Sequence, residues 1–77
     1  MILFDGVHLA STESMDELHE MASRIGLRRS WIHDDDKHPH YDIKPGVMMR
    51  NVQSLIDEGE IERCSPRELV MRCFRGG

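Results

Sequence analysis

Histidine carries most of the chemistry this chain could do: five occur in 77 residues, three of them between residues 33 and 40. Imidazole ligates transition metals when neutral and exchanges protons near neutral pH. His38, His40 and Asp42 recur at every second residue. An extended backbone would point all three to one side, and imidazole with carboxylate is a ligand set for Zn, Fe, Mn or Ni. A divalent metal held by His38, His40 and Asp42 is one reading. A hydrated, histidine-rich loop is the other, because Pro39 interrupts the alternation. His8 lies between Val7 and Leu9 in an apolar run and points away from both. His19 falls one turn after Met15 on a candidate helix. A histidine beside a helix N-terminus suits phosphate, carboxylate or a hydrolytic proton transfer. The plainer readings are a core imidazole bonded to a backbone carbonyl for His8 and the polar edge of an amphipathic helix for His19.

Other chemistries are excluded. None of the serines sits in a G-x-S-x-G elbow, and Ser14 and Ser65 read as helix caps. There is no P-loop and no G-x-G-x-x-G, so an ATPase or a Rossmann enzyme is ruled out. Cys64 and Cys73 form no C-x-x-C pair and read as free thiols of a cytoplasmic chain. Arg24, Arg28 and Arg29 gather where the first helix should end, as an anion site or as a complement to its dipole. Asp34, Asp35 and Asp36 read as hydrated carboxylates, or as an acidic surface for a partner.

The elements that must position these groups follow from local signals. Residues 2–4 and 7–10 read as one strand interrupted at Asp5-Gly6, or as a strand preceded by an arm. Ser14 with Glu17 fits a capping box; Met15, Leu18, Ala22 and Ile25 share a helical face, which Gly26 ends. Residues 30–33 and 40–43 read as extended. A second helix opens at Pro45, buries Met48, Val52, Leu55 and Ile56, and stops at Gly59. Residues 60–64 form another strand, and Ser65-Pro66-Arg67-Glu68 starts a third helix carrying Leu69, Val70, Cys73 and Phe74. Residues 75–77 should fray. The order β-α-β-α-β-α predicts one small α/β domain over residues 1–77, with a three-stranded, mostly parallel sheet.

Composition narrows the partners. The chain is 39% apolar with net charge −4. It lacks a membrane-length apolar run, a secretory signal and the basic footprint of a sequence-reading nucleic-acid binder. So short a chain buries little surface, which favours a shallow site and a homodimer through Met48, Met49 or the last helix.

His8-Leu9, Glu17-Leu18-His19, Arg24-Ile25-Gly26-Leu27, Trp31, His40-Tyr41-Asp42 and Arg67-Glu68-Leu69-Val70 together resemble a known family. It is a small bacterial and phage domain-of-unknown-function family (four-zero-three-one) marked by a His-Tyr-Asp triplet. The resemblance runs from about residue 7 to residue 73. It implies an intracellular bacterial or phage setting and singles out His8, His19, His40, Tyr41 and Asp42. Two departures stand out: Ser11-Thr12-Glu13 where the family often has an Asp, and an Asp-Asp-Asp-Lys-His insertion before Pro39. The five singled-out residues are expected to converge at one sheet edge near the start of the first helix. There they would bind a phosphate-bearing or nucleotide-like ligand, such as a host signalling nucleotide sequestered by a phage protein. The alternatives are a metal-dependent hydrolase using the same histidines and an acidic inhibitor of a host protein.

Overall fold

Asp5-Gly6 does not interrupt one strand; it reverses the chain between two. In the computed structural model, which describes residues 1–33 and 39–74, β1 (Ile2–Phe4) and β2 (His8–Ser11) pair antiparallel. Gly6 takes φ +109°, a left-handed conformation that side chains resist. Asp5 Oδ1 accepts hydrogen bonds from the Val7 and His8 N–H groups, closing the turn as Asp side chains commonly do.

Two further strands complete the sheet. β3 (Tyr41–Asp42) pairs antiparallel with β2, and β4 (Ile61–Arg63) pairs parallel with β1, giving the order β3-β2-β1-β4. The sheet is therefore four-stranded and mixed, not three-stranded and mostly parallel. The reason lies beyond the first helix. His33 and His40 form an antiparallel bridge through paired backbone hydrogen bonds of 2.8 and 3.1 Å. The bridge is antiparallel, and the limb that continues from His40 into β3 is the one that meets β2. Residues 30–33 are correspondingly not a strand: Arg29–Trp31 is a 3-10 turn, and only His33 bridges.

The helices sit where local signals place them. α1 (Met15–Ile25) is capped by Ser14, whose Oγ accepts the Glu17 N–H, and Gly26 closes it at φ +105°. The Glu17 carboxylate does not complete the capping box. It binds the Ser11 hydroxyl and the Met1 amine, and Ser11 Oγ takes the Ser14 N–H instead. α2 (Val47–Asp57) begins two residues after Pro45, and α3 (Pro66–Cys73) is capped by Ser65 as its sequence requires.

Alternation along the strands defines two faces. Ile2, Phe4, Leu9, Tyr41, Ile43 and Ile61 pack on one side against Leu18, Ile25, Val52 and Leu55 of α1 and α2. Met48 and Met49 are half-buried against that core. On the other side Leu3 and Ala10 pack with Leu69 of α3, flanked by Cys64, Cys73 and Phe74. Among the described residues, no helix is long and apolar enough to cross a membrane.

Candidate metal centre

The β2–β3 register decides which polar groups meet. His8 stands directly opposite Asp42, and His40 lies two residues before Asp42, so all three project from the face that α3 shares. His33, the bridge partner of His40, joins them. The Nε2 atoms of His40 and His8 face the same oxygen, Asp42 Oδ1, at 3.5 and 3.9 Å. One ligand atom each from His8, His40 and Asp42 lie within 4.8 Å of one another. On a tetrahedral zinc, ligand atoms stand about 3.3–3.4 Å apart, so a small contraction would close this group on an ion. Asp42 Oδ1 is buried and makes no hydrogen bond, the two imidazole contacts being ion-pair approaches only. Asp42 Oδ2 lies 3.2 Å from His33 Nε2. The His33 and His40 rings stack at 5.2 Å, and the His8 ring meets His40 edge-on at the same separation.

His8 is held from behind. Asp5 Oδ2 lies 2.9 Å from His8 Nδ1, and the Asp5 side chain is only 3% exposed. Burial works against its charge, but hydrogen bonds from the His8 backbone and ring and from the Val7 N–H outweigh burial and hold the carboxyl below its ordinary value. Ionised Asp5 can only accept, so Nδ1 carries the proton and Nε2 faces Asp42. That is the carboxylate–histidine arrangement that orients metal-ligating imidazoles. A depressed folded-state pKa stabilises the fold above the unfolded value and loses that contribution as pH falls through the folded one. Acid titration followed by carboxyl NMR should find Asp5 titrating below 3.8, with stability declining across that window. An Asp5 carboxyl titrating at or above the ordinary value would contradict the arrangement.

The five residues expected to form one cluster are split by the sheet. Tyr41 alternates with His40 and Asp42 and therefore faces α1, where its hydroxyl and His19 Nδ1 share a 2.7 Å hydrogen bond. Tyr41 is 1% exposed, and burial raises its phenol above the ordinary value, with Arg29 opposing. The pair ties α1 to the edge strand. Tyr41→Phe should lower the melting temperature by roughly 4–8 °C, as loss of about 1 kcal/mol does at this size, and leave chemistry on the other face untouched. Unchanged melting would show that the bond contributes nothing. The cluster also lies away from the α1 N-terminus: His8 opens β2, whereas α1 follows its other end at Ser11. The departure at Ser11-Thr12-Glu13, where the resemblance implied an Asp, thus lies away from the His8 cluster.

The remaining candidates sort simply. His38 and Asp34 to Asp36 lie outside the described residues, as does the tail at residues 75–77. Arg24 pairs with Glu60 at 3.3 Å. Burial raises both thiols, Cys73 to about 11, so neither is a ready nucleophile or metal thiolate. Sequence reasoning passed over two residues of the site, Asp5 and His33. The Asp5-x-x-His8 spacing across a turn was the available signal for the first. For the second the crowding of histidines between residues 33 and 40 was the only signal, because its pairing with His40 is set by the bridge.

The fold and site together define a small α/β domain with a surface cluster of imidazoles and carboxylates. The sequence matches, over residues 5–74, the family described as "Protein of unknown function (DUF4031)", and the chain belongs to that family. No curated protein and no solved structure matches it.

Proposed function

We propose that this chain binds a divalent cation through His8, His40 and Asp42, and that with the cation held there it would bind and hydrolyse a phosphate-bearing, nucleotide-like ligand. The observation that carries this reading is Asp42 Oδ1, a buried carboxylate oxygen with no hydrogen bond, faced by two Nε2 atoms. Direct capture of an anion by the histidines is the weaker reading. Two carboxylates, Asp5 and Asp42, already occupy the cluster and would repel phosphate unless a cation neutralised them. Three protein ligands leave coordination positions for water and substrate. A bound ion would polarise the phosphoryl oxygen and ease ionisation of its water. In this reading the water would give up its proton to solvent and add at phosphorus as the ester P–O bond breaks, and His33, beside Asp42, would return a proton to the leaving oxygen. A phage protein acting on a host signalling nucleotide inside the cell belongs to the same proposal. A homodimer would use α3, where Val70 and Met71 are exposed, and light scattering giving a monomer mass would reject it.

The test is calorimetric titration of untagged protein with Zn²⁺, Mn²⁺ and Fe²⁺, paired with turnover of a nitrophenyl phosphodiester before and after chelation. One ion per chain and chelator-sensitive turnover are expected; flat titrations with all three metals would refute the reading. Asp5→Asn should weaken metal binding roughly 10–100-fold, as loss of an orienting partner does. Because ligating imidazoles must be neutral, binding should also weaken in acid.

A further inference from the structure

Beside the His8–Asp42 cluster lies a surface cleft of about 600 Å³ that shares His33 and Asp42 with it. Pockets for small ligands commonly span about 300–1,000 Å³. Leu27 and Met48 line its apolar part, and Trp31 and Lys44 stand on it as well. Trp31 is the only tryptophan in the sequence, and 49% of its surface is exposed although the main core lies close by. The Arg28 guanidinium lies 5.9 Å from its ring centre. In a chain of net charge −4, this corner combines an aromatic face with two cations, Arg28 and Lys44.

We infer that this cleft is the subsite for the planar base of a nucleoside phosphate, stacked on Trp31, with its phosphate directed past Lys44 toward His33 and Asp42. An exposed aromatic ring accepts any base by its π-face, and a neighbouring arginine strengthens the stack. Lys44 offers the phosphate a charge that the carboxylates of the cluster cannot. The base subsite stands on the cleft alone; the direction of the phosphate rests on the metal reading above.

Fluorescence of Trp31 tests the inference without a label. With excitation selective for tryptophan, the protein is titrated with adenosine monophosphate and, separately, with ribose 5-phosphate, each with and without Zn²⁺. The nucleotide should quench Trp31, and the sugar phosphate should not. Trp31→Leu should weaken nucleotide binding, measured by calorimetry, roughly 5- to 150-fold, and leave Zn²⁺ binding within twofold. Trp31→Phe, which keeps a π-face, should retain most of the affinity. Equal binding of the two phosphates, indifferent to Trp31→Leu, would overturn the base subsite while leaving the metal reading intact. Quenching by the nucleotide without any Zn²⁺ binding would uphold the subsite and overturn the metal reading.

Discussion

Asp42→Asn will abolish the thermal stabilisation conferred by a divalent ion and leave the metal-free domain melting close to the unaltered protein. An ion present at about 100 times its dissociation constant stabilises a native state that alone binds it by roughly 2.7 kcal/mol. In a domain of this length that is worth about 10–20 °C in melting temperature. The metal-free protein has little to lose by the change, because Asp42 Oδ1 makes no hydrogen bond, the partly exposed approaches to His8, His33 and His40 are worth little, and the amide keeps the carboxylate's shape. His8→Ala should abolish the same shift but also lower the metal-free melting point, since Asp5 loses the ring that binds its Oδ2. Differential scanning fluorimetry with and without Zn²⁺ reads both effects. A zinc shift that survives Asp42→Asn would remove that carboxylate from the ligand set.

Leu9→Ala is expected to be the most damaging single truncation. Leu9 is 0% exposed and stands between its strand partners Phe4 and Tyr41, at the middle of the face that α1 and α2 cover. Buried Leu→Ala changes cost about 2–5 kcal/mol through lost transfer energy and an unfilled cavity. A chain of this length has roughly 4–12 kcal/mol of stability in total. The melting temperature should fall by roughly 10–40 °C, and the urea midpoint should drop with little change in slope. Leu9 neighbours His8 on β2, so a loosened strand would also blunt metal binding on the opposite face. A loss below about 1 kcal/mol would mean that this face is not the principal core.

Much of the secondary structure could be read directly from the chain, because its determinants are local. Ser14 and Ser65 accept the N–H three residues on, Gly26 takes the left-handed cap, and the first two helices bury the faces their periodicity marks, whereas α3 buries Leu69 but leaves Val70, expected on its apolar face, exposed. The alternation of His40, Tyr41 and Asp42 also followed from the sequence, and it already set Tyr41 against its two neighbours. Gathering all three at one site therefore ran against the chain's own geometry.

Pairing was decided only in three dimensions. The energy of a strand pair comes from residues far apart in sequence, and no local signal records which strand will be the partner or which way it will run. Asp5-Gly6 looked like a pause in one strand until β1 and β2 were seen to fold onto each other, which turned Asp5 from a turn residue into the support of His8. The antiparallel pairing of β3 with β2 set Asp42 opposite His8, and the antiparallel bridge to His40 brought in His33. The sequence by itself thus determined the helices, the extended segments and the residue types available for a metal centre. Tertiary structure alone decided that His8, His33, His40, Asp42 and Asp5 meet while His19 and Tyr41 face away, because a sheet sorts side chains by register as well as by identity.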